Sequence, residues 1–148
     1  MKNALSDSST AWIARYSILI WIGIALNLAL IIPLFFFPEQ MIAFFHLQPL
    51  SQTLWARVGG MLLAIISVFY VPTAIDFARY RTYAWLGVFP SRTFGATFFA
   101  VAVFLFGQPP GFLVVTLIDG FIGLTTLICL IKIHDRERRE AALSGERT

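Results

Sequence analysis

The run Tyr16–Pro38, YSILIWIGIALNLALIIPLFFFP, carries no formal charge from end to end. A helix rises 1.5 Å per residue, so about 20 apolar residues cross the hydrocarbon core of a bilayer, and this run exceeds that length. It is also longer than the apolar core of a signal peptide, and no small-residue cleavage site follows it, so it reads as a retained span. Before it lies the polar start Met1–Thr10. After it, Pro33 and Pro38 mark the expected outer end of the helix. The following segment, EQMIAFFHLQPLSQT from Glu39 to Thr53, is too short and too polar to span and suits a short helix lying in the interface.

Three further apolar runs follow the same logic. Leu54–Val71 is expected as helix two, closed by Pro72. PTAIDFARYRTYAW then mixes Asp76, Arg79 and Arg81 with Tyr80, Tyr83 and Trp85, a composition of headgroup depth. Helix three is expected from about Arg92 to Phe106, with an extension back to Val88, and the breaker Gly107-Gln108-Pro109-Pro110-Gly111 separates it from helix four, Phe112–Ile133. Residues 134–148 read as a solvated tail that prolongs helix four by a turn or two. The expectation is an all-α integral membrane bundle of four transmembrane helices in one domain spanning residues 1–148, with helices near 12–37, 54–71, 88–106 and 112–133.

Composition agrees. The 148 residues are 58% hydrophobic and 13% charged, against about 25% charged in soluble domains, and mean hydropathy is +0.78. Four spans and their connections use nearly the whole chain, leaving no length for a soluble catalytic domain. The single cysteine, Cys129, has no partner for a disulfide and reads as a small packing residue, which excludes a thiol oxidoreductase. The two histidines, His46 and His134, fall in a loop and in the tail, so no metal or haem site is expected inside the bundle. Helix one holds no carboxylate, unlike small proton-coupled exporters, and no H-E-x-x-H, G-x-S-x-G or phosphate-binding loop occurs. No cofactor is expected. The net charge of +3 lies beside the spans, and nucleic acid is not an expected partner.

Polar residues at membrane depth are the informative ones, because each costs about 2.5–3.5 kcal/mol at the centre unless partnered. Arg57 lies one turn inside the outer end of helix two, Asp119 two turns inside helix four, and Asn27 comes to a similar level on helix one; Thr116, His46 and Glu39 stand nearby. Arg57 and Asp119 are expected to meet, either as a structural ion pair or as a ligand or proton site; alternatively Arg57 snorkels to the headgroups. Ala56, Gly60 and Ala64 recur every fourth residue and are expected to form a close helix contact.

Closely spaced helices, a length near 150 residues, Arg57-Val58-Gly59-Gly60 opening helix two and an acid near the start of helix four together resemble the DoxX-like group of small bacterial membrane proteins. The glycine-to-lysine signature associated with DoxX itself is absent. The resemblance implies a bacterial inner-membrane bundle, sometimes attached to a quinone-linked redox complex, and supplies no catalytic residue. The functional expectation is a non-enzymatic accessory or assembly subunit, with the bilayer and a membrane-protein partner or second copy as its contacts. The alternative is a binder or carrier of a small apolar or quinone-like ligand using Arg57 and Asp119; an enzyme would have only that same couple for acid–base work.

Of the 11 Lys and Arg residues, all but Arg57 fall before helix one, between helices two and three, or after helix four. The positive-inside rule then places both termini in the cytoplasm. Reporter fusions at the N-terminus, within 74–84 and after Arg139 are expected to report cytoplasm, and fusions within 39–52 and at Pro109 the outside. Inversion at any of the five sites would break the four-span topology.

Overall fold

The computed structural model describes residues 2–145, with side chains described over 9–143. Lys2 as a side chain, and the end of the expected tail with Arg147, lie outside the described residues. Helix α1 spans Lys2–Phe36, the short α2 Pro38–Phe44, α3 Leu54–Ile75, α4 Arg81–Leu86, α5 Thr93–Phe106 and α6 Leu113–Gly145. No strand occurs among the described residues. Four helical stretches are long and apolar enough to cross a membrane: Ser9–Phe36, Leu54–Ile75, Arg81–Phe106 and Pro110–Leu143. Most of each stretch faces outward, with Phe94, Phe98, Phe104, Leu117 and Phe121 among the exposed side chains. Apolar surface on this scale has lipid as its natural solvent, and the chain is a multi-pass membrane protein.

Local chemistry explains the departures from the expected boundaries. Pro72 does not end helix two: α3 runs on to Ile75, and the next donor, the N–H of Asp76, still reaches the Pro72 carbonyl at 2.9 Å. Pro38 occupies the first turn of α2, where its missing N–H costs nothing. Helix three begins earlier than Val88. Its apolar stretch starts at Arg81 and passes through a wide, π-type segment, Gly87–Arg92, in which Phe89 is extended at φ −121° and ψ 116°. A residue before proline is pushed out of the helical region by the ring of Pro90. At the other end of α5, Gly107 takes a left-handed φ of 64°, a conformation glycine adopts without strain, and the chain reverses there. The tail is helical to Gly145, further than one or two turns, and Arg81 of α4 is ion-paired to Glu137 of α6.

The helices are arranged as an incomplete ring. α1 packs against α3 on one side and α6 on the other, and α5 packs against α6. α3 and α5 do not pack along their lengths; the ring closes between them only at its base, where α4 meets α3. The base, which holds the start of α1 and the end of α6, is the packed half. Tyr16, Ile20, Tyr70, Phe77, Val88, Leu130 and Ile133 fill it together with Cys129, and the Tyr16 hydroxyl donates to Thr73 Oγ1 at 3.2 Å. The opposite, loop end is not filled.

The expected small-residue contact is placed unevenly. Gly60 is buried against α1, where an added Cβ would lie 3.1 Å from Leu34 Cβ and 3.1 Å from the Phe35 ring. Ala64 is half-buried, and Ala56 faces a cavity instead of a helix. The buried line on α3 is Gly60, Ser67 and Ala74, a seven-residue repeat, because 3.5 residues per turn keeps a seam facing one neighbour better than a strict spacing of four. Gly60→Leu is therefore expected to overpack the α1–α3 contact by about 1–3 kcal/mol. Gly59→Leu, beside it, meets open space at its Cβ and should not lower stability, the helix gaining up to about 1 kcal/mol from loss of the glycine. Equal melting temperatures for the two variants in detergent would show that Gly60 faces lipid.

Candidate functional site

Asp119 is paired, but not with Arg57. Arg92, in the middle of the third span, donates from Nη1 to Asp119 Oδ1 at 2.8 Å. Arg57 is exposed on α3, and the sequence-based pairing with Asp119 is thereby corrected. The reason is helical phase: the face of α3 that turns inward carries Ala56, Gly59, Leu63, Ile66 and Tyr70, and Arg57, one residue past Ala56, is rotated about 100° away from it. Arg92 was counted among the basic residues of the loop before helix three. With that stretch starting at Arg81, Arg92 lies just past the Phe89–Pro90 break and is buried in the bundle interior.

Glycines make the room for this pair. Arg92 packs its stem on Gly123 of α6, where an added Cβ would sit 3.3 Å from Arg92 Cβ. Its Nη2 fills the space left by Gly23 of α1, and any side chain there would displace it. An added Cβ at Gly95 of α5 would lie 2.8 Å from Asp119 Oδ2, and one at Gly87 would lie 3.3 Å from the Tyr70 ring. Arg92 Cζ stands 5.0 Å from the centre of that ring, within cation–π range. The Tyr70 hydroxyl and Ser91 Oγ are 2.6 Å apart and hydrogen-bonded. One level higher, Asn27 Nδ2 of α1 donates to Ser67 Oγ of α3 at 2.9 Å, and the Ser67 hydroxyl donates to the Leu63 carbonyl at 2.8 Å. Every helix of the ring thus contributes to one polar layer.

Above this layer lies a cavity of about 420 Å³, within the range of about 300–1,000 Å³ typical of small-ligand sites. Its walls are apolar, from Leu30 and Leu34 of α1, Leu62, Leu63 and Ile66 of α3, Phe99 of α5, and Val115 and Ile118 of α6. Its floor is Asn27, Tyr70, Ser91, Arg92 and Asp119. Met41, Ile42 and Phe45 of the α2 region roof it together with Gly111 and Phe112. That roof is tight, because Gly111 backs onto the Phe45 carbonyl so closely that a Cβ has no place. α3 and α5, which do not pack along their lengths, both line the cavity.

Of the residues singled out from the sequence, Asp119 and Asn27 line the cavity and Arg57 does not. Glu39, His46 and Thr116 are also absent from its wall. Sequence reasoning missed Arg92, Tyr70 and Ser91. A usable signal existed in the turn register: Gly95 lies as many residues before Gly107 as Asp119 lies after it, which puts the two at one level of a helical hairpin. Among the described residues no group of three His, Cys, Asp or Glu side chains converges as a metal site would require. Comparison of the chain with models of known families, with curated proteins and with solved structures finds no match.

Removing one member of a buried ion pair strands the other, at a cost of about 3–5 kcal/mol. Asp119→Asn and Arg92→Gln are each expected to lower stability by an amount of that order, and the double variant to lose clearly less than the sum. Arg57→Gln should stay within about 0.5 kcal/mol. Additive losses at positions 92 and 119 in a thermal-stability cycle would dissolve the pair.

Proposed function

We propose that this protein binds a small lipid-soluble molecule, apolar or quinone-like, in the cavity at its loop end, and works as a binder or carrier instead of a catalyst. The observation that carries the reading is an apolar chamber of about 420 Å³ whose floor is a convergent polar layer holding the Arg92–Asp119 pair. Apolar walls with a few placed polar groups are the usual anatomy of a ligand site. An intramembrane ionisable residue is by default a functional hypothesis. The floor has no nucleophile with a paired base, so acid–base chemistry has less support than binding. An accessory or assembly role rests on the outward apolar surface alone, a property every lipid-facing bundle has, and is the second reading.

In this proposal the protein sits in a bacterial inner membrane with both termini cytoplasmic. With Arg92 assigned to the interior, Arg15, Arg79, Arg81, Lys132, Arg136, Arg138 and Arg139 flank the base of the ring among the described side chains, while Arg57 lies towards the loop end. That bias supports the orientation. The cavity then lies in the outer half of the bilayer, open on the α3–α5 flank to the lipid phase from which an apolar ligand would come. The resemblance to DoxX-like proteins is kept as part of the proposal.

Gly59 offers the direct test, since it lines the cavity and an added Cβ meets nothing within 4 Å. Gly59→Trp is expected to fold with unchanged thermal stability and to lose the lipid-soluble molecule that co-purifies with the wild-type protein in mild detergent, as seen by organic extraction and mass spectrometry. Identical extracts from the two proteins would remove the cavity from the function.

A further inference from the structure

The two members of the floor pair are not presented equally to the cavity. Arg92 is 3% exposed and Asp119 21%, so the charge that the chamber meets is the carboxylate, while the guanidinium stays wrapped by Gly23, Gly123 and Tyr70. Asp119 receives its hydrogen bond from Arg92 on Oδ1. Its Oδ2 is turned to Gly95, which also lines the chamber, and Oδ2 is not among the enclosed atoms that lack a partner. An acceptor therefore faces the cavity. Beside it, Tyr70 and Ser91 share one hydrogen bond between two hydroxyls. Two hydroxyls carry two protons, and one proton serves the shared bond, so the pair has a second O–H to donate.

We infer that the head group taken up on this floor is a neutral hydroxyl, of an alcohol or a phenol, attached to an apolar body. This rests on the binding reading above and narrows its ligand class. A hydroxyl is the smallest group that donates to Asp119 Oδ2 and accepts from the Tyr70–Ser91 pair at once. An ether or carbonyl accepts only and leaves the carboxylate oxygen without a partner. A carboxylate ligand would bring like charge to Asp119. An ammonium would bring a second cation to Arg92 and would lose its water on entering apolar walls, a transfer that neutral heads avoid.

The experiment uses the full chain in mild detergent and native mass spectrometry with four matched probes: para-hexylphenol, its methyl ether para-hexylanisole, hexylbenzene and para-hexylbenzylamine. The phenol is expected to bind at least about tenfold more tightly than the other three, the scale of a hydrogen bond to a charged acceptor. Gly95→Ala sets a methyl group against Asp119 Oδ2 without removing any charge; it should erase the preference while leaving hexylbenzene binding in place. Gly59→Trp should abolish all binding. Equal affinities for phenol, ether and hydrocarbon, an amine that binds best, or a preference that survives Gly95→Ala would overturn the hydroxyl assignment and leave the cavity reading standing. Absence of binding by every probe, or binding undiminished in Gly59→Trp, would overturn both.

Discussion

A buried arginine sets the terms for this bundle. Placing Arg92 in the middle of an apolar stretch costs several kcal/mol unless its charge is met, and Asp119 meets it from the neighbouring helix at 2.8 Å. A guanidinium is also large and planar, and close-packed helices leave no space for it. The space comes from glycines on the facing helices, Gly23 on α1 and Gly123 on α6, with Gly95 doing the same for the carboxylate. Tyr70 of α3 closes the group through its ring. One side chain thus fixes the relative height of four helices, because each must bring a particular small or aromatic residue to the same level.

The polar layer divides the interior into unlike halves. Below it, side chains interlock in the usual way, with Tyr16 and Phe77 in edge-to-face contact, their ring centres 5.1 Å apart, and Cys129 enclosed among them as an apolar filler. Above it, α3 and α5 stand apart. The short α2 and the turn at Pro110–Phe112 lie across the resulting opening. In lipid the gap carries no hydrophobic penalty of the kind it would have in water, since acyl chains solvate apolar walls as well as leucine does. The cavity is therefore compatible with the fold's stability in a way that a chamber of equal size in a soluble protein would not be.

The spans were legible in the sequence because an uncharged run longer than the bilayer has few alternatives, and their number follows from four such runs. Their ends were less so. Pro72 was read as a stop, yet a proline removes only one donor, and α3 continues for a further turn. Phe89–Pro90 looked like the threshold of a span and is a break inside one, which moved Arg92 from the interior to the loop. The Asp119 half of the site was legible because a lone acid in an apolar run stands out. The Arg92 half was hidden among basic residues that do lie at the base. Arg57 is the wrong partner for a reason the sequence already held: an ion pair needs matching helical phase as well as matching depth and opposite sign, and Arg57 is rotated away from the face of α3 that carries Ala56, Gly59 and Leu63.

Enclosing both partners of an ion pair strengthens their attraction but strips both of solvation, and the second effect can exceed the first. Here one partner is sealed and the other is left open to the chamber. The residue that keeps Asp119 Oδ2 accessible is Gly95, at which even an alanine would touch that oxygen. Gly59 in turn lines the chamber at a point where an added Cβ would meet nothing within 4 Å. Gly95 makes room for the Asp119 carboxylate, whereas Gly59 is required by no turn, positive φ or close approach, and glycine in a helix interior costs about 1 kcal/mol relative to alanine. Under the binding proposal, the cost at Gly59 keeps the chamber open. That is why the open carboxylate, and not the ion pair as a whole, is the part of this site from which ligand chemistry is argued.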